Sequence, residues 1–211
     1  MKQHRSFLRA SILVLAISAG AQSPLADVVS DCASGSPVRV MQGCSIVIEG
    51  GAPAPMNLAD AYAYRANASE MVGNHSDALA DLDKAIQLNP NQAGLYNNRG
   101  NVYLAAGNEA EALANYGDAI RRDPNFSGAY FNRGNAYARI GDLTLALRDL
   151  TAAVHLGPAF APAYYNRAIV NLRLGRPREA TADIRQTLKL NPRHQGALEA
   201  MSKLGISTGM R

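Results

Sequence analysis

Leu95, Tyr96, Arg99, Val102 and Tyr103 follow the i, i+3, i+4, i+7 spacing of one helix face, which predicts a helix over Ala93 to Ala106. Gly107 and Asn108 end it. Glycine takes the left-handed conformation that a helix stop needs, and asparagine is expected to cap the next helix. That second helix covers Glu109 to Arg122 and stops before Asp123 and Pro124. Proline cannot continue a helix and pushes the residue before it away from helical geometry.

The same two-helix pattern recurs at a fixed step of 34 residues from Ala59 to His194. Pro90, Pro124, Pro158 and Pro192 keep the step, as do Tyr62, Tyr96, Tyr130 and Tyr164, and Gly73, Gly107, Gly141 and Gly175. Such a period predicts a stacked helical array, the kind of fold that builds binding surfaces. Small residues stand where the two helices of a unit approach. In the first helix these are Ala66, Gly100, Gly134 and Ala168; in the second they are Ala78, Ala112, Ala146 and Ala180, then Ala85, Ala119, Ala153 and Thr187. Ile86, Ile120, Val154 and Leu188 fill the space between.

Small residues at unit positions 8, 20 and 27, an aromatic at 4 and proline at 32 resemble the tetratricopeptide repeat (TPR) family over residues 59–194. The resemblance implies an all-α fold: a right-handed superhelical solenoid of four helix-turn-helix units at 59–92, 93–126, 127–160 and 161–194. It implies that the first helices line a concave groove. The outer units depart from the inner ones. Position 11 is Tyr103 and Tyr137 inside but Ser69 and Asn171 outside, and Pro177 stands near the start of the last second helix, where proline is tolerated. Gln195 to Leu204 continues the pattern with Leu198, Met201 and Leu204 on one stripe, which predicts a capping helix in 195–211.

The first 21 residues change the charge picture. Lys2, Arg5 and Arg9 precede the apolar run Ala10 to Gly20, and Ala19-Gly20-Ala21 offers small residues for cleavage, as in a secretory signal. Cleavage is expected after Ala21, with Ala26 as the alternative. Export would place the chain in the periplasm or outside the cell; an uncleaved leader would anchor it in the inner membrane. The leader holds three of the 21 basic residues and no acid, so the net charge of +4 falls to +1 without it. That balance gives no case for nucleic acid. A composition of 47% hydrophobic and 18% charged residues fits a soluble protein, and no later run is long enough for stable membrane insertion.

Cys32 and Cys44 are the two cysteines. An even count in an exported chain predicts a disulfide, joining a short N-terminal loop to the start of Val38–Ile48. A redox pair is the alternative, without CxxC spacing or an adjacent base to support it. The segment 22–58 reads as a partial helical unit followed by the linker Gly50 to Pro55. It resembles exported bacterial TPR proteins that carry a Cys pair before the repeats.

Two polar rows recur. Arg65, Arg99, Arg133 and Arg167 each precede Asp81, Asn115, Asp149 or Asp183 by 16 residues, a spacing that predicts a bridge between the helices of one unit. Asn115 accepts less than a carboxylate, so the second unit is expected to be the loosest. On the presumed inner face stand Asn98, Asn132 and Asn166 at position 6 and Asn67, Asn101 and Asn135 at position 9. Such a row either pairs with the main chain of an extended peptide or bonds neighbouring helices together. Tyr64, Phe131 and Tyr165 share that face as apolar pockets or partial core. Asp60 and Glu70 lie toward its N-terminal end, Arg139 and Arg173 toward its C-terminal end. Some chaperone-binding TPR proteins grip a carboxylate with cations at positions 2, 5 and 6. Here position 2 is Asp60, Gly94, Gly128 and Pro162, so no such clamp is expected.

The sequence carries no GxSxG, HExxH, phosphate loop or GxGxxG, and no histidine pair has metal-ligand spacing. The expectation is a non-catalytic scaffold without metal or cofactor that takes a protein or peptide. The alternatives are an accessory subunit of a periplasmic cell-wall or polysaccharide enzyme, and self-association through the end helices.

Overall fold

The computed structural model describes residues 24–51 and 56–205. The leader expected over 1–21 and most of the expected linker lie outside them. The alternative cleavage point Ala26 falls within the first helix.

Eleven helices follow one another without a strand among the described residues. They are α1 (Pro24–Ala33), α2 (Pro37–Glu49), α3 (Leu58–Met71), α4 (His75–Leu88), α5 (Ala93–Ala105), α6 (Glu109–Arg122), α7 (Ser127–Ile140), α8 (Leu143–Leu156), α9 (Ala161–Arg173), α10 (Pro177–Leu190) and α11 (Gln195–Lys203). None is long and apolar enough to cross a membrane. From α3 to α10 they pair as four hairpins, each packed on the next. The first helices α3, α5, α7 and α9 also touch their successors directly, whereas successive second helices do not pack on one another to that extent. The first helices therefore crowd together on the inside of a curved stack, and the result is an all-α solenoid of helix hairpins.

The recurring residues are spent on this packing. The small residues at the crossings are buried throughout. Gly107 has φ +82, the left-handed stop that the turn requires. Asn108 does not cap α6 with its side chain. Its backbone sits at φ −99 and ψ 74, and its N–H closes back on the Tyr103 carbonyl at 2.8 Å. Pro177 takes the first turn of α10.

One crossing is unusually tight. A Cβ added at Gly100 would lie 2.6 Å from the Tyr116 ring. Tyr116 is fully buried and donates to Asn101 Oδ1 at 2.9 Å, so it cannot swing away. Burial pushes its phenol up to about 12, against a smaller opposing pull from Arg139. Gly100→Ala is expected to cost about 1–3 kcal/mol by overpacking. The first unit pairs Ala66 with Leu82 at these positions, so Tyr116→Leu should restore most of that loss in a thermal melt. A double variant no more stable than Gly100→Ala would mean the clash lies elsewhere.

The N-terminal segment is a helix pair. Where the sequence reading expects a loop at the first cysteine, α1 forms, and the Cys32–Cys44 bridge ties α1 to α2 with Cα atoms 4.4 Å apart. The approach is close because Gly43 has no side chain: a Cβ there would lie 2.7 Å from the Cys32 nitrogen. Cys32, Cys44 and Val47 bury against Ala61 of α3, and α1 also touches α3. The pair thus continues the stack at its N-terminal end. At the other end α11 covers the last hairpin with Ala197, Ala200 and Met201, while Leu198 and Leu204 pack beside them.

Candidate functional site

The arginine row is structural. Arg65, Arg133 and Arg167 each grip an aspartate of the following helix with two bonds: Asp81 at 2.8 and 2.8 Å, Asp149 at 2.6 and 2.9 Å, and Asp183 at 2.9 and 2.6 Å. The bond to the carboxylate raises the Arg65 and Arg133 guanidinium pKa above its ordinary value, so both remain charged. Each arginine also sits beside the tyrosine three residues before it, 5.5–5.7 Å from the ring centre. Arg99 has one bond to Asn115, at 2.7 Å, as the neutral partner predicts. The second unit is not left short, because Arg99 takes a carboxylate from the preceding unit, Asp83, at 2.6 Å.

The asparagine row forms a ladder along the first helices. Asn98 donates to Asn67 Oδ1 at 3.3 Å, Asn132 to Asn101 Oδ1 at 3.1 Å, and Asn166 to Asn135 Oδ1 at 2.8 Å. Each rung joins one unit to the next. Asn132 also donates to the buried Asn97 at 2.9 Å, a residue the sequence reading leaves out of the row. Each rung uses one N–H of the later residue and the carbonyl of the earlier one, and Asn132, bonded twice, has no N–H to spare. Among the described residues, no side-chain hydrogen bond uses the Oδ1 atoms of Asn98, Asn132 or Asn166. An amide has two donors and two acceptor sites. The ladder therefore fixes the side chains and leaves part of their bonding capacity facing the groove.

Between α7 and α9 the first helices form a recess of about 610 Å³. Asn135, Tyr165, Asn166 and Ile169 line it, with Arg139 and Arg173 at its rim. Arg173 donates to the Ala138 carbonyl at 2.8 Å, and Arg139 lies 3.5 Å from Glu109. Tyr165 is held from behind: its ring lies 4.5 Å from that of His194, and a Cβ on Gly196 would meet its hydroxyl. His194 in turn caps α11 by accepting the Ala197 N–H at 3.2 Å. Its place at the unit boundary was the only sequence signal for this role.

The other candidates separate. Phe131 is half-buried, packed beside Leu150 and Ala153, with its ring edge-on to Phe160 at 4.8 Å. Tyr64 stays exposed and lines a smaller recess of about 150 Å³ with Asn67, Met71 and the turn between α1 and α2. Asp60 is held by Asn57, which accepts its N–H and so caps α3. Among the described residues no group of three or more His, Cys, Asp or Glu could hold a metal ion.

Comparison with known proteins places this geometry. Residues 72–107 and 100–141 match a family model described as TPR repeat, and 127–159 and 161–194 match one described as Tetratricopeptide repeat. A search of curated protein sequences returns no match. Among solved structures, TTC0263, a thermophilic TPR protein of Thermus thermophilus, aligns over 87% of this chain and 98% of its own, at 22% identity and a TM-score of 0.67. YrrB, described as a TPR protein with an unusual peptide-binding site, aligns over 85% and 98% at 18% identity and a TM-score of 0.61. The first TPR of Spaghetti (RPAP3), solved with the HSP90 peptide SRMEEVD, aligns over 54% and 90% at 28% identity and a TM-score of 0.53. The matched repeats span more than half of the sequence and lie within the run of stacked hairpins, so the chain belongs to the tetratricopeptide repeat family.

Proposed function

We propose that this chain is a non-catalytic adaptor of the bacterial cell envelope that holds an extended peptide segment of a partner protein along its first-helix groove. The observation that carries the reading is the asparagine ladder. Amide groups fixed at one unit's step, with spare carbonyls and N–H groups, suit the main chain of a peptide whatever its side chains. Tyr165 and Ile169 add an apolar seat, and Arg139 and Arg173 favour an acidic residue at that end. The peptide carried by the Spaghetti domain supports a peptide ligand for this chain. The cations of a carboxylate clamp are missing here, so the contact is to the body of a segment rather than its terminus. The buried Cys32–Cys44 bridge and the leader support an oxidising compartment.

The test is capture of envelope proteins by crosslinking, with wild type and with Asn98→Ala plus Asn132→Ala. The double variant is expected to keep its helical circular dichroism and lose about ten-fold in capture, the effect of ~1.4 kcal/mol of lost hydrogen bonding. Undiminished capture by a folded double variant removes the groove from the proposal.

A further inference from the structure

The repeat supplies an internal standard for every position, and position 11 departs from it. The inner units carry Tyr103 and Tyr137 there, half-buried against apolar neighbours. The outer units carry Ser69 and Asn171, and a recess lies against each smaller residue. The recess at Asn171 measures about 350 Å³ and lies between α8, α9 and α10, away from the groove residues. An apolar cavity of about 150 Å³ already admits benzene, so an aromatic ring fits.

The two recesses differ in what they leave unbonded. At the first, Ser69 Oγ donates to Met41 Sδ at 3.6 Å and Arg65 to Ser45 Oγ at 2.9 Å. At the second, Asn171 is 3% exposed, its amide nitrogen reaches Asp183 only at 3.5 Å, and its carbonyl oxygen has no partner. A buried acceptor without a donor bears its full desolvation cost. Leu147 and Ala182 give the recess a little apolar wall; Thr151, Glu179 and the Arg167–Asp183 pair make the rest polar, and Arg176 stands among its lining residues, in no ion pair among the described residues.

We propose that this recess binds the side chain of a tyrosine presented by a partner protein. The ring takes the place that the unit's own tyrosine holds in the inner repeats. The Asn171 carbonyl is closed to solvent in the free protein; a turn of the amide brings Oδ1 to the recess, where it accepts the hydroxyl, and the Arg176 guanidinium lies over the ring face. This contact is independent of the groove, and a partner seated in both would be held at two points.

The experiment is an NMR titration of the full-length protein with p-cresol, toluene and N-acetyl-tyrosinamide at millimolar concentration. p-Cresol and the tyrosine amide are expected to shift the Asn171 side-chain amide and leave Ser69 unmoved. p-Cresol should bind about ten-fold tighter than toluene, because only the hydroxyl satisfies the carbonyl. Asn171→Tyr, which installs the inner-unit residue, should abolish the shifts. Asn171→Leu should abolish the preference for p-cresol while leaving a ring-sized recess, and this holds should the tyrosine variant fold poorly. No shift in wild type means the recess holds solvent only and overturns the proposal. So does toluene binding as tightly as p-cresol, or unchanged binding by a folded Asn171→Tyr.

Discussion

Replacing Arg133 with methionine is expected to cost about 3–5 kcal/mol of stability, the penalty for leaving a buried charge alone. The residue left behind is Asp149, whose side chain is 4% exposed and whose two oxygens both rest on Arg133. The same change at Arg99 is expected to cost only about 1–2 kcal/mol. It strands Asn115, which is neutral and still donates to the Glu111 carbonyl, and Asp83, which is 53% exposed and can turn to water. Denaturant melts of the two variants, followed by circular dichroism, compare them directly. Removing both charges, as Arg133→Met with Asp149→Leu, should recover most of the loss, since an apolar pair replaces an ionic one without leaving an orphan. Equal losses at Arg133 and Arg99 would falsify the assignment of the cost to Asp149.

The second large effect concerns the N-terminal pair. Cys32→Ala with Cys44→Ala is expected to remove about 3 kcal/mol, the chain-entropy value for a loop of this size. A ten-residue helix such as α1 is marginal alone. Its cluster with α2 and α3 is small, built on Cys32, Cys44, Val47 and Ala61. Loss of the bridge should therefore open α1 and α2 together, raising amide exchange in residues 24–49 about a hundred-fold. The units from α5 to α10 touch neither helix and should keep their protection. Unchanged exchange in 24–49, or collapse of the whole array, would show that the bridge does something other than hold an end unit.

The architecture was legible because a stack asks the same thing of each unit. Small residues recur where helices cross, tyrosine where arginine lies beside it, and proline where the turn closes. What does not recur gave no such signal. α1 starts one 34-residue step before α3, but Val28, Arg39 and Met56 stand where that step places tyrosine, glycine and proline, so its short apolar pattern reads as a loop. From sequence the second unit reads as loose because its compensating carboxylate lies one unit earlier, at a position occupied by Asp83, Gly117, Thr151 and Arg185 in turn. The asparagine row could be read, but its mutual bonding could only have been found by comparing units. Asn67 and Asn98, Asn101 and Asn132, and Asn135 and Asn166 all stand 31 residues apart. The recess at Asn171 depends on a carbonyl left unbonded, which no spacing encodes.

The bond from Arg99 to Asp83 has a consequence for how such a chain can grow or shrink. Equal units invite the idea of interchangeable modules, duplicated or deleted at will. Here the second unit depends on what stands before it. Were it copied behind itself, the copy of Arg99 would face Gly117 in place of a carboxylate and would keep only the neutral Asn115. The third unit needs nothing of the kind, because Asp149 serves Arg133 from within. The period describes a shared shape, and the order of the units is written in the residues that reach across their seams.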